Sequence, residues 1–399
     1  MVGNKINFHF FNTLCSKKTH EVLFKQYNVT SGNAAQNFFG LIAEGLKNNS
    51  NTTVFVNSVL PINHYDQKKI FWKLSNELEN DIHYNYIPIV NLPILNNFIT
   101  SFFIFFQILF KNYYSESKDI IIVDFLRFSI NLPVILACKL RGIKTLVIVT
   151  DLPGEGILQT SFKTKIRNLF IFLLYYDFYV CVTNELNRVV NKKNRPFLII
   201  ESFANVKFNK LENSIEDKFS EKVIIYAGGL YERYGIKMLI EGFKMIHDPN
   251  VRLWLFGVGP FTDEIIKYSK IDNRIEYKGI IPNEELIGIL SKATALINPR
   301  PSHEKYTKYS FPSKNLEYMS IGTPLITTKL YGIPGDHYPY IYLIEDESKF
   351  GIFTTLQSIL EKNKEELHQF GLRCKLFTMR EKNNIVQTNK IIKMINGSF

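Results

Sequence analysis

Lys314 and Glu317 stand three residues apart in the stretch Tyr309-Ser-Phe-Pro-Ser-Lys-Asn-Leu-Glu-Tyr-Met-Ser-Ile-Gly-Thr-Pro324. With Ser313 four residues before the glutamate, the three side chains share one face of a helix. Pro312 falls in the first turn, where its missing N–H costs nothing. Ser310 and Ser313 can accept bonds from that turn's free amides. Leu316 and Met319 point inward, Gly322 ends the helix and Pro324 keeps it from resuming. A helix start of this kind offers amides and a cation to a phosphate. A carboxylate one turn later can accept from ribose hydroxyls, as an acidic residue does in dinucleotide folds. The segment reads as a nucleotide-diphosphate pocket. The same pair can equally form an exposed salt bridge worth roughly a few tenths of a kcal/mol, so the flanking sequence has to decide.

Tyr226-Ala-Gly-Gly-Leu-Tyr-Glu-Arg-Tyr-Gly-Ile236 has the pattern of a strand, a tight turn and a helix start. Gly228 and Gly229 let backbone amides approach an anion, with charge from Arg233 or Lys237; the pair also suits a plain βα turn. Gly257 and Gly259 lie in a second turn, Phe256-Gly-Val-Gly-Pro260, where Gly257 is a candidate donor contact and either glycine also suits a plain positive φ. Asn298-Pro299-Arg300 closes another strand at its carboxyl end, where ligands bind in open α/β sheets, and Arg300 is a second candidate cation. His303 and Glu304 follow in a loop that either faces a ligand or is merely solvated. In the first half, Val147-Ile-Val-Thr-Asp-Leu-Pro-Gly154 puts Asp151 at a strand's carboxyl end, as a cleft residue or a turn-forming one. Asp124 ends another strand and is a weaker candidate.

These residues need a scaffold, and the chain's rhythm supplies it. Short β-branched runs alternate with amphipathic stretches, the signature of parallel sheets flanked by helices. Strands are expected over 6–10, 53–57, 120–124, 145–150, 179–182 and 197–202, with helices over 31–47, 96–112, 129–141, 162–176 and 184–190. A polar stretch at 207–218 reads as a linker. Strands then recur over 222–227, 252–256, 275–279, 295–299, 324–328 and 341–344. The accompanying helices are expected over 236–246, 262–269, 283–291, 313–321, 348–362 and 364–373. At 399 residues the chain exceeds one ordinary core and predicts two domains.

Composition narrows the partners. The net charge of +11 calls for nucleic acid, an anionic membrane surface or a phosphorylated substrate. Basic residues are scattered, with small clusters at 163–167 and 192–195, and no nucleic-acid module accompanies them, so nucleic acid is the weakest choice. Cys15, Cys138, Cys181 and Cys374 are far apart, as buried free thiols in a reducing compartment would be. No metal-ligand cluster is visible, and His64 and His83 are isolated. The first residues lack an apolar export signal, giving a cytoplasmic expectation. The apolar stretch 94–110 is too short for a span of about 20 residues. It reads as a buried core helix, with a helix lying in a bilayer surface as the alternative.

Taken together, the 309–324 stretch, the Gly-x-Gly-Pro turn at 257–260, and Lys278-Gly279 with the following 282–286 resemble GT-B glycosyltransferases. The likeness is specifically to the family 4-like transferases of bacterial surface-polysaccharide assembly. The resemblance implies two Rossmann-like doubly wound domains facing a central cleft, over 1–205 for the acceptor and 206–375 for the nucleotide sugar. A helix within 376–399 would cross back to the first domain. Glu317 would hold the donor ribose. The family's earlier Glu, eight residues before it, falls at Tyr309, and the nearest upstream carboxylate is Glu304. The family's loop Arg and Lys fall at Gly229 and Tyr234, leaving Arg233 or Lys237 to substitute. Arg233, Arg300, Lys314 and the amides at Ser313 would stabilise charge on the departing phosphate. Asp151 would be catalytic or orient the acceptor. Ser31, Gly32 and Asn33 would face the donor phosphates from the first domain. The resemblance implies no metal or other cofactor, retention of configuration, a UDP-linked donor, and a polyprenyl-diphosphate-linked oligosaccharide acceptor at the inner membrane face. A UDP-sugar epimerase or a non-catalytic scaffold with the same fold are the competing expectations.

Overall fold

The computed structural model describes residues 5–27, 33–62, 69–93, 95–111, 117–153 and 170–398. The chain divides into two compact units, Met1–Phe203 with Asn384–Phe399, and Ala204–Asn383. The first therefore takes its last helix from the far end of the sequence, beginning at Asn384.

The first unit opens with β1 (Ile6–Asn12), α1 (Lys17–Tyr27), α2 (Asn33–Lys47) and β2 (Thr52–Ser58). Short strands β3 (Phe71–Trp72), β4 (Glu77–Glu79), β5 (Ile82–Tyr86) and β6 (Ile89–Val90) precede α3 (Leu95–Phe110). Then come β7 (Lys118–Asp124), α4 (Phe128–Arg141), β8 (Lys144–Val149), β9 (Phe178–Cys181), α5 (Asn184–Val190) and β10 (Phe197–Ile199). The main sheet runs β10-β9-β8-β7-β1-β2-β5-β4, parallel except for the antiparallel edge strand β4. Every residue of β1 is buried, as expected for a strand covered by helices on both faces. β3 and β6 form a separate antiparallel pair.

The second unit contains β11 (Lys222–Ala227), α6 (Ile236–Phe243), β12 (Val251–Phe256), α7 (Thr262–Ile271), β13 (Ile275–Gly279), α8 (Asn283–Lys292) and β14 (Ala295–Asn298). It continues through α9 (Ser313–Ile321), β15 (Leu325–Thr328), β16 (Tyr342–Ile344), α10 (Lys349–Leu360) and α11 (Lys364–Phe377). Its sheet is wholly parallel in the order β13-β12-β11-β14-β15-β16, the doubly wound dinucleotide-fold order. The order reverses between β11 and β14, so their carboxyl ends flank the crevice where such sheets bind ligands.

A π-helical turn, Thr378–Lys382, leads from α11 to α12 (Asn384–Asn396). In the first unit α12 lies on α2: Asn384 Nδ2 donates to the Leu41 carbonyl at 3.0 Å, and Asn49 Nδ2 to Thr388 Oγ1 at 3.0 Å. A Cβ on Gly45 would come within 2.4 Å of the Asn384 carbonyl, so only glycine permits this approach. Ile391 and Ile395 complete the core built by β1, β2 and α2.

The expected elements that lie within the described residues follow in their expected order, but α1 and β3–β6 are additions to them, and one expected element needs a correction of substance. The stretch expected as a buried core helix, now α3, buries only Thr100, Ile104 and Ile108 and leaves Leu95, Phe98, Phe102, Phe103 and Phe110 exposed. Hydropathy measures how apolar a helix is and says nothing of how many of its faces find cover. The helix expected over 162–176, the basic cluster at 163–167 and His64 fall wholly or mostly outside the described residues. All four cysteines are buried and free.

Candidate active site

At the switch point of the second sheet the chain brings together the loop after β11, the loop after β14 and the start of α9. Three contacts set their positions. Tyr318, fully buried in α9, donates its hydroxyl to the Ala227 carbonyl at 2.8 Å and accepts from the Ala227 amide at 2.8 Å. Asn315 accepts from Asn298 Nδ2 at 2.7 Å, while Thr327 Oγ1 donates to the Asn298 carbonyl at 3.0 Å, tying α9 to β14 and β15. Gly235 has a φ of +83°, and a Cβ there would sit 2.0 Å from the Pro299 carbonyl. This close approach sets the turn carrying Arg233 beside Arg300.

Both guanidinium groups lie against tyrosine rings. Arg300 Cζ is 4.5 Å from the centroid of Tyr234 and 5.9 Å from that of Tyr306. Arg233 Cζ is 5.2 Å from Tyr306, 5.4 Å from Tyr234 and 5.9 Å from Tyr231. Among the described residues, Arg233 Nε, Arg300 Nε and the Tyr306 hydroxyl are buried with no hydrogen-bond partner. Burial pushes the Tyr306 phenol up to about 12, so it stays a neutral donor. Two part-buried cations against the same two tyrosine rings, with no carboxylate ion pair among the described residues, repel each other and leave donors unmet, a cost that an anion held between them would remove.

The α9 N-terminus faces the same loops without a side-chain cap. The expected capping by Ser310 is corrected: its hydroxyl donates to the Tyr306 carbonyl at 3.1 Å, steadying the tyrosine loop instead. Lys314 and Glu317 do share a face, and Lys314 Nζ lies 2.8 Å from Glu317 Oε2. Ser313 is exposed at the helix start.

The glycines divide by role. The Gly228 amide donates to the Phe256 carbonyl at 3.0 Å and is not open to an anion, contrary to expectation. Gly229 keeps its place at the turn, its carbonyl accepting from the Tyr226 hydroxyl at 2.8 Å. Gly257, the candidate donor contact of the second turn, has a φ of +123°, and a Cβ there would fall 1.9 Å from the Gly228 carbonyl. Lys237 reaches Glu232 at 3.6 Å, which leaves Arg233 as the cation of this loop. Glu304 is part-buried in the field of Tyr306, whereas His303 is exposed with its Nδ1 3.9 Å from Glu347.

In the first unit, Asp124 ends β7 at that sheet's own switch point, with Asp151 just past β8. Asp124 is buried; its Oδ1 accepts from the Leu126 amide at 3.0 Å and its Oδ2 lies 3.8 Å from Arg127 Nε. Burial raises the Asp124 carboxyl, and the nearby Asp151 raises it further. Crowding by protein raises the Asp151 carboxyl too, although that residue keeps solvent access. Asn33 begins α2; its side chain, with Ser31 and Gly32, lies outside the described residues.

Sequence reasoning missed the aromatic half of this site. Tyr226 lies in β11, Tyr231 and Tyr234 flank Arg233 in the turn after it, and Tyr306 arrives from the loop after β14; only the Tyr231–Tyr234 spacing beside Arg233 offered a signal. Tyr318 and Asn315 were overlooked because they lie inside the helix motif rather than on its exposed face.

Residues 221–361, from the start of β11 to the end of α10, match the family model described as glycosyl transferases group 1. A protein of Escherichia coli K12 named as the colanic acid biosynthesis glycosyltransferase WcaL is 25% identical over 116 residues, 28% of this chain and 29% of its own length. The N-acetyl-alpha-D-glucosaminyl L-malate synthase of Bacillus anthracis is 26% identical over 239 residues, 56% of this chain and 60% of its own length. The chain thus spans less than two thirds of either relative. The HepE protein of Anabaena, solved in complex with UDP, superposes with a TM-score of 0.63 at 12% identity, covering 99% of this chain and 100% of HepE. The fold is GT-B, built of two parallel-sheet α/β units.

Proposed function

We propose that the chain is a retaining, metal-independent glycosyltransferase that moves a sugar from a nucleoside diphosphate donor, UDP-linked, to a hydroxyl of a lipid-linked glycan in polysaccharide assembly. One observation carries the reading. Among the described residues Arg233 and Arg300 have no carboxylate ion pair, and they meet at the switch point with their Nε donors and the Tyr306 hydroxyl unsatisfied. A diphosphate supplies what they lack. The match to the group 1 family and the UDP complex of HepE support the choice of donor.

In the reaction, the bond from the anomeric carbon to the β-phosphate oxygen breaks as the acceptor hydroxyl forms the new glycosidic bond. Negative charge builds on the departing phosphate. Arg233, Arg300, Lys314 and the open amides of α9 stabilise it where it develops, already oriented before the bond breaks. Retention follows from attack on the face the phosphate leaves, with that phosphate taking the acceptor's proton. Glu317, which lies 2.8 Å from Lys314, accepts from the ribose hydroxyls of the donor. Asp151 orients the acceptor, a polyprenyl-diphosphate-linked oligosaccharide presented at the inner face of the membrane.

Thermal-shift titration with UDP, GDP, ADP and CMP, run alongside Glu317→Ala, tests the donor site. Selective stabilisation by UDP that the variant lacks is expected, because a ligand bound to the native state raises its melting temperature. No shift with any nucleotide overturns the donor site. Stabilisation without sugar turnover moves the chain to a non-catalytic nucleotide-binding role.

A further inference from the structure

We propose that α3 and α4 form a docking face for an anionic lipid bilayer, lying flat in its interface. The two helices run side by side in the same direction. Ser101 of α3 donates to the Ser129 carbonyl at 2.8 Å, and Arg141 at the end of α4 donates to the Leu109 carbonyl at 2.6 Å. On α3, Phe98, Phe102, Phe106 and Phe110 recur every fourth residue as one stripe, with ring centroids 4.4 Å apart for Phe102–Phe106 and 5.6 Å for Phe106–Phe110. Leu136 and Leu140 share a stripe on α4. Phe98 is 70% exposed, Phe102 61%, Phe110 72% and Leu140 69%. Contiguous apolar surface of this kind marks an interaction site rather than ordinary exposure.

Charge selects the occupant. Residues 95–110 and 128–141 contain no aspartate or glutamate, and their only cations, Lys139 and Arg141, close one end of the face. A second copy of the chain would bring the same cations and no acid to answer them. A bilayer with anionic headgroups answers both halves, taking the rings at the acyl boundary and the cations among the phosphates. At 16 residues α3 extends about 24 Å, and no helix among the described residues is long and apolar enough to cross a membrane. The arrangement gives the membrane-side working place of the proposed function a specific surface, remote in sequence from the donor loops.

The test floats the full chain with vesicles of mixed phosphatidylglycerol and phosphatidylcholine, and with phosphatidylcholine alone. Wild type is expected to float with the anionic vesicles. The triple variant Phe98→Ser, Phe102→Ser, Phe110→Ser should lose binding by about tenfold or more, with its melting temperature undiminished because the rings face solvent. Lys139→Glu should weaken binding and flatten its salt dependence. Failure of wild type to float, or equal floating by the triple variant, overturns the proposal. So does a wild-type dimer in sedimentation velocity that the triple variant dissolves while neither floats, which makes the face a subunit contact. UDP titration of the triple variant separates the two readings. Retained stabilisation with lost floating supports the face, and absent stabilisation with the expected floating pattern removes only the donor reading.

Discussion

Tyr318 and Ala227 are joined twice through one hydroxyl, which donates to the Ala227 carbonyl and accepts from the Ala227 amide, each at 2.8 Å. Ala227 is the last residue of β11, so this buried bridge sets where the Gly228-Gly229 turn begins. It couples the helix that offers its N-terminus to the strand that carries the arginine loop. Tyr318→Phe leaves two buried backbone groups unpaired. It should cost about 1–3 kcal/mol in chemical denaturation and weaken UDP binding in calorimetry, although Tyr318 touches no ligand.

The arginine–tyrosine cluster predicts a trade-off. Arg300→Met removes a stacked cation that has no carboxylate ion pair among the described residues. The free protein should gain about 0.5–1 kcal/mol, as when a functional site's strain is relieved. UDP affinity should fall by about tenfold or more as a charge-assisted bond is lost. Arg300→Lys keeps the charge but loses the planar stack on Tyr234, and should lie between the two. Denaturation midpoints with and without UDP read both effects.

A pair of glycine substitutions separates packing from backbone freedom. Gly257→Ala puts a methyl group 1.9 Å from the Gly228 carbonyl at a φ of +123°, and should destabilise by about 1–3 kcal/mol. Gly288→Ala, in α8 with nothing within 4 Å of its Cβ, should instead stabilise by about 0.5–1 kcal/mol. Urea unfolding of both variants checks the contrast.

Acid sensitivity should centre on His337. Burial holds its pKa well below the usual 6.5, the Lys382 cation lowers it further, and Asp336 opposes them. Phe311 and Phe377 pack edge-on against the ring. A group whose folded pKa is depressed binds fewer protons in the native state, so stability is full above the unfolded pKa and falls as pH drops below about 6.5. Buried His9, depressed chiefly by desolvation, adds to the same slope. His337→Leu should flatten unfolding free energy against pH by up to about 1.4 kcal/mol per pH unit in the acid range.

Much of this architecture is legible in the residues alone. The helix 313–321 and its Gly322 stop lie where Pro312, Gly322 and Pro324 put them, because local punctuation determines local backbone. The strand β5 is not among the expected elements, though Ile82, Tyr84 and Tyr86 are buried on alternate positions, because His83 and Asn85 dilute its apolar character. Arg233 is the cation expected of its loop, but its surroundings are not legible in the sequence. They depend on Tyr306 reaching, from the loop after β14, an arginine that Tyr231 and Tyr234 already flank in its own turn, with Glu232 engaging the neighbouring Lys237. The exposed face of α3 was legible as a Phe stripe of period four and was hidden by reading only the helix's mean hydropathy.

The return of α12 to the first unit has a consequence for biosynthesis. During translation the first 203 residues emerge early, yet their sheet lacks the cover of Ile391 and Ile395 until the final helix appears. The later segment, 204–383, is whole before that moment. Nascent chains would thus mature in reverse of their synthesis: the second unit closes first, and the first waits with an uncovered α2 until residues 384–396 emerge, the interval in which a chaperone has most to shield.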